Sequence, residues 1–240
     1  MDLLGHRQSE YAYYQDLFWV VTPLEDTDVV MELYSSVVPF IFFPPQEIYT
    51  LIIENIQMHD AYRYIPQLYA DLQHSTIFRH QDFTELFVKQ LSNRKFDPVL
   101  QGQMCDIATS MLTSWQESKH LLRDRQLYMD GSVLGHFMIT FLNSDQPDKA
   151  WELFQLYQKD RSLQRLSDPS GESLSKMAEH LMTRKDYDST KEVLDLMQNL
   201  NYAEVSPLVE KVLQTFELSD HERNYLKGLA VHLEPSSNTN

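Results

Sequence analysis

The chain has 240 residues, 42% of them hydrophobic, with only six glycines and one cysteine. That composition supplies a real core and excludes a disordered chain, an intramolecular disulfide, a multi-cysteine metal site and a glycine-rich phosphate loop. The formal net charge of -15, from 35 acidic and 20 basic residues, opposes strong nonspecific binding to a phosphate backbone.

The apolar pattern is helical from the start and returns at a fixed spacing. Leu17-Phe18-Trp19, Leu51-Ile52-Ile53 and Leu86-Phe87-Val88 follow one another after 34 and 35 residues. Glu32-Leu33-Tyr34 recurs as Gln67-Leu68-Tyr69 after 35, and the run Leu153 to Gln158 answers to Val193 to Gln198 after 40. A period of this size fits a helical hairpin that cannot hide its apolar flank alone and stacks on its neighbours. Such a chain presents an extended surface rather than a catalytic pocket.

Twelve helices are expected, over 8–22, 26–38, 45–57, 60–74, 80–92, 98–119, 132–143, 147–160, 172–183, 187–199, 204–216 and 219–232. After the second, Val37 to Phe43 carries prolines at 39, 44 and 45 and is expected as a buried, extended linker. Pro44-Pro45 followed by Gln46 and Glu47 opens the third helix. Asp97-Pro98 supplies an N-cap and a first-position proline, and Ser206-Pro207 repeats the device. Cys105, between Met104 and Ile107, reads as a small buried hydrophobe. Trp151 is expected to fill space between stacked hairpins. The loop 164–172, with Asp168-Pro169-Ser170-Gly171, is the expected weak point of one helical-repeat domain spanning 8–234. Ser219-Asp220-His221-Glu222 reads as a capping box, and 235–240 as a disordered tail.

Three basic islands interrupt the acidity: Lys89, Arg94 and Lys95; Lys119, Arg123 and Arg125 around Asp124; and Lys159, Arg161 and Arg165 around Asp160. Cations at helix C-termini complement the helix dipole, so solvated helix ends are a better account of them than RNA contacts. The first two islands are the candidate RNA contacts. Nothing marks a catalytic, cofactor-binding or metal site. The nine histidines form no His-Glu-x-x-His spacing, and the pair His120 and Asp124 lacks two further ligands. Carboxylates are scattered over helix starts and polar faces, and a Gly-x-Ser-x-Gly turn is absent. An enzyme and a cofactor are therefore not expected. Tyr11, Tyr14 and Phe18 lie at helical spacing and read as inter-helix core rather than base-stacking platforms.

Tyr13 to Phe18, Phe43-Pro44-Pro45-Gln46 ahead of Ile48 to Ile52, and Asp148-Lys149-Ala150-Trp151-Glu152-Leu153-Phe154 resemble pentatricopeptide repeats. Their order, with Leu218 to Glu222 and Leu226 near the end, resembles the C-terminal part of the mitochondrial small-ribosomal-subunit members of that family, from about residue 8 to 232. The resemblance implies an all-α fold, an α-solenoid of stacked helical hairpins built from degenerate repeats. It implies a non-enzymatic, RNA-associated component of the mitochondrial small ribosomal subunit, in the matrix, supporting translation. The implied partners are the small-subunit rRNA, neighbouring ribosomal proteins and, on the side where it enters, messenger RNA, with no membrane. Family members carry a targeting segment and further repeats upstream, so the chain reads as a C-terminal fragment or a short form; Met1 to Arg7, which lacks a targeting pattern, would alone suggest the cytosol.

One departure from the family bears on RNA. Base-reading members place small polar residues at fixed helix positions, whereas Tyr14, Tyr49 and Thr84 stand at the corresponding starts here. A one-repeat, one-base code is not expected. The alternative reading is a helical-repeat adaptor that binds protein segments and no RNA.

Overall fold

The computed structural model describes residues 3–118, 127–160, 163 and 167–231. Among the described residues there are twelve α-helices and no strand, the all-α class expected. They follow one another as consecutive pairs along the chain: α1 (Leu3–Val21) and α2 (Thr27–Val37), α3 (Gln46–Met58) and α4 (Ile65–Leu72), and α5 (Gln81–Ser92) and α6 (Pro98–Ser118). Then come α7 (Gly131–Asn143) with α8 (Pro147–Lys159), α9 (Gly171–Thr183) with α10 (Tyr187–Asn199), and α11 (Val205–Thr215) with α12 (Asp220–Val231). The expected fourth helix is split, because Pro66 restricts the residue before it and suits a first turn; a 3-10 turn over Tyr62–Tyr64 precedes α4.

The chain divides into two compact units, one of residues 1–93 and 97–128, the other of residues 94–96 and 129–240. In the first, α3 packs against α1, α2 and α5, and α4 against α6. Ile48, Tyr49, Ile52, Ile53 and Ile56 of α3 are all fully buried, so its apolar residues cover more than one flank. Cys105 is buried in α6, as expected. Asp97 caps that helix by accepting from the Val99 and Leu100 amides at 3.1 and 3.2 Å.

One buried amide ties the first hairpin to the second. The Asn55 side chain donates to the Thr22 and Glu25 carbonyls at 2.7 and 3.0 Å and accepts from the Thr27 hydroxyl at 2.6 Å. Residues 37–43 are not the buried, extended linker expected. The Ile41 and Phe42 amides both donate to the Val37 carbonyl, at 2.8 and 3.0 Å, which folds the segment into a turn. Of its apolar side chains only Val37, Val38 and Phe42 are buried; Phe42 meets Tyr11, Tyr14 and Phe18 at ring distances of 4.9, 6.1 and 5.8 Å. Phe40, at the tip, is 96% exposed. Of the three α1 aromatics expected in the core, Phe18 is fully buried, Tyr14 half-buried and Tyr11 exposed.

In the second unit α9 packs against α7, α10 and α11. Three of its helices, α7, α9 and α10, start on side-chain caps: Asp130 accepts from the Val133 amide at 3.0 Å, Ser170 from Ser173 at 3.2 Å and Asp186 from Ser189 at 3.1 Å. The capping box is present, with the Ser219 amide donating to Glu222 at 2.8 Å and the Glu222 amide to the Ser219 hydroxyl at 3.4 Å. Ser206 is not a cap. α11 already begins at Val205, and the Ser206 hydroxyl donates to the Ala230 carbonyl on α12 at 3.3 Å. Gly135 permits close packing of α7 on α9, since a Cβ there would stand 2.8 Å from the Ser173 hydroxyl.

Four helix ends turn through the left-handed region without glycine: Asp60, Asp145, Lys185 and Asn201, at φ from 53 to 59°. Each is followed by an amide that reaches back five residues, as from Gln146 to Phe141 at 2.9 Å and Asp186 to Leu181 at 3.1 Å. These closures set the tight reversals between paired helices.

Trp151 is half-buried rather than enclosed, its ring stacked on Phe154 at 4.9 Å, while Phe154 is fully buried. Phe154→Ala is expected to cost about 3–5 kcal/mol and Trp151→Ala about 1–2, because part of the indole already faces water. Chemical denaturation of the two variants checks the order. Asn55→Ala removes the side-chain partner of the buried Thr22 carbonyl, the part-buried Glu25 carbonyl and the Thr27 hydroxyl, an expected loss of about 2 kcal/mol by the same measurement.

Candidate functional site

Much of the polar surface of each unit lashes one hairpin to the next. In the first unit the Tyr34 hydroxyl donates to Asp71 at 2.9 Å, and Arg63 and Tyr64 both reach Asp28. In the second, Arg184 meets Asp148 at 2.9 Å, Lys211 pairs with Glu179, and the Tyr202 hydroxyl donates to the Pro169 carbonyl at 2.7 Å. These partners stand 32 to 37 residues apart, close to the sequence period. Exposed ion pairs each contribute little, but together they occupy cations that would otherwise face an anionic partner.

The candidate RNA contacts fare unequally. Lys89 is exposed in the last turn of α5, where the helix dipole favours it. Arg94 lies over the Phe96 ring at 5.5 Å, and the Lys95 amine is 3.7 Å from the Asp145 carboxylate. Arg94 and Lys95 are thus held within the second unit, where the Asn143 side chain also donates to the Arg94 carbonyl at 3.3 Å. Lys119, Arg123 and Arg125 lie outside the described residues, as do His120, Asp124, Arg161 and Arg165.

Cavities offer a different view. One, about 450 Å³, lies in the first unit among α4, the Gln73–Arg79 segment and α6. Tyr69, Phe78 and Met111, all buried, contribute apolar surface to its wall; His74, Thr76, Arg79 and Ser114, all exposed, contribute polar surface. The Tyr69 hydroxyl is already engaged, donating to Ser110 at 2.8 Å. None of the described lining residues is acidic. Sequence reading passes over this place because its wall comes from three separate segments; the available signal is the acid-free stretch Leu72 to Gln81, which contains His74, Arg79 and His80.

A smaller cavity of about 210 Å³ in the second unit is lined by Trp151, His180 and Arg184. Burial first, and then the Arg184 guanidinium, hold His180 below the usual imidazole range. Its Nε2 is buried without a hydrogen-bond partner. Among the described residues no group of three or more His, Cys, Asp or Glu side chains is placed to hold a metal ion, and no helix is long and apolar enough to cross a membrane.

Exposed large apolar side chains concentrate in the first hairpin and the turn after it. Tyr13, Trp19, Val20, Leu24, Phe40, Ile41 and Phe43 are all exposed.

No family model matches the chain. Over 231 residues, 95% of its length, it is 22% identical to the small ribosomal subunit protein mS39 of Mus musculus. It is 20% identical over 229 residues to the mS39 protein of Danio rerio, and 24% identical over 239 residues to that of Drosophila melanogaster. The chain spans about a third of the length of these relatives, from 32 to 35%. They agree with the ribosomal resemblance carried by Tyr13 to Phe18, Phe43 to Ile52 and Asp148 to Phe154.

One inter-hairpin tie has a pH signature. The Tyr225 hydroxyl donates to Asp195 at 2.5 Å, and that bond, with burial and the charge of Asp195, pushes the phenol up to about 12. A raised folded-state value gives stability that is complete below the ordinary tyrosine value near 10 and is lost as pH rises through the folded value. Relative to Tyr225→Phe, the parent chain is expected to lose stability between about pH 10 and 12. Urea midpoints of both proteins across that window check it.

Proposed function

Taking the likeness to mS39 as the premise, we propose that the chain is a non-enzymatic component of the mitochondrial small ribosomal subunit and works in the matrix in support of translation. The observation that carries this reading is collinear similarity along 95% of the chain to ribosomal proteins of mouse, zebrafish and fly. The mechanism is docking by an outer surface. Stacked hairpins hold their own apolar flanks, and their exposed faces meet neighbouring ribosomal proteins and the small-subunit rRNA near the side where messenger RNA enters.

Different surfaces serve the two kinds of neighbour. The apolar set around Trp19, Leu24 and Phe40 suits a protein partner. Lys89, Arg94 and Lys95, with Lys119, Arg123 and Arg125, are the proposed contacts to RNA phosphates; they position the chain and carry no base code. A protein-only adaptor is the second reading. It is favoured by the net charge of -15 and by the pairing of Arg63, Arg184 and Lys211 within the chain.

Co-sedimentation separates the two. Tagged protein expressed in cells is expected to travel with mitochondrial small subunits through a gradient at moderate salt and to recover their rRNA. Sedimentation as a free protein, with no rRNA, removes the ribosomal reading. Ultraviolet cross-linking of the sedimenting complex then distinguishes contact with RNA from contact with protein alone.

A further inference from the structure

We propose that the cavity among α4, the Gln73–Arg79 segment and α6 is an anchor for one nucleotide of a single-stranded RNA segment. Its volume of about 450 Å³ falls in the range of small-ligand sites. Four polar side chains at it, His74, Thr76, Arg79 and Ser114, make no side-chain hydrogen bond or ion pair with the described residues. Arg79 therefore differs from Arg63 and Arg184, whose guanidinium groups are spent on Asp28 and Asp148.

The distribution of chemistry over the wall selects the ligand. The Arg79 guanidinium presents a planar fork that matches two phosphate oxygens, and the His74 ring adds a further nitrogen at the rim. The hydroxyls of Thr76 and Ser114 suit ribose oxygens, which both donate and accept. The apolar surface of Tyr69, Phe78 and Met111 offers a base an environment that a carboxylate does not need. An acidic peptide would use the rim and leave that wall empty. A paired duplex would keep its bases stacked and out of the cavity, so the strand is single.

This site deepens the RNA-docking reading and rests on it for the source of the strand. Its test uses the purified 240-residue chain alone, so the outcome is independent of the gradient experiment. The probe is a fluorescently labelled, mixed-sequence single-stranded RNA about 12 nucleotides long, a length within the usual single-strand site sizes. Anisotropy is read across a salt series. The double variant His74→Gln/Arg79→Gln is expected to bind about tenfold more weakly, with a salt dependence shallower by about one phosphate contact. Ser114→Trp, which keeps every charge and obstructs the cavity, is expected to weaken binding to a similar degree. Thermal melts matching the parent's show that both variants are folded. An RNA affinity unchanged in these two variants overturns the proposal, as does a parent chain that fails to bind the probe. An acidic peptide that competes with the RNA as strongly, at equal concentration, overturns it as well.

Discussion

A helical hairpin has more apolar flank than its own two helices can cover, and this shortage organises both units. α3 shows it directly: its buried isoleucines at 48, 52, 53 and 56 are shared among α1, α2 and α5. α9 occupies the same position in the second unit, against α7, α10 and α11. Each hairpin therefore draws part of its stability from its neighbours, as in repeat architectures generally. Polar ties follow the same geometry. Asn55 locks the turn after α1 to α3 from within, while Tyr34, Arg184 and Tyr202 tie neighbouring hairpins from outside.

The sequence was most legible where periodicity and capping chemistry agree. Positions of the twelve helices follow from apolar residues at helical spacing, and Asp97 and Ser219 marked starts that the structure keeps. Three further caps, Asp130, Ser170 and Asp186, were not distinguished from ordinary loop polar residues, because a cap is defined by the amide that it meets. The turn after α2 misled for a related reason. Val37 to Phe43 is apolar enough to be buried, but two amides converge on the Val37 carbonyl and throw Phe40 outward. Trp151 misled through its size, since a large ring can stack on one neighbour and keep an edge in water. The cavity was the least legible feature, being assembled from residues as far apart as Tyr69 and Leu127.

Acidity and RNA contact are compatible when charge is considered locally. At physiological salt the screening length is about 8 Å, so a carboxylate two helices away has little influence on a guanidinium at a cavity mouth. What matters is which cations remain unengaged after the inter-hairpin ties have formed. Net charge sums over groups that neutralise one another, such as Lys211 with Glu179 and Arg63 with Asp28. A count of basic residues in sequence likewise cannot separate those consumed in holding hairpins together from those left to meet a partner. Lys95, paired with Asp145, and Arg79, without a partner among the described residues, illustrate the difference.

The bare phenyl ring of Phe40 also has a cellular corollary. Nothing in its own unit shields it, and Ile41 and Phe43 widen the greasy spot. On the ribosomal reading proposed above, a copy not yet assembled would be sticky, prone to clump or to attract chaperones and proteases. Such a polypeptide is best made in step with its companions, and an orphaned surplus would be short-lived.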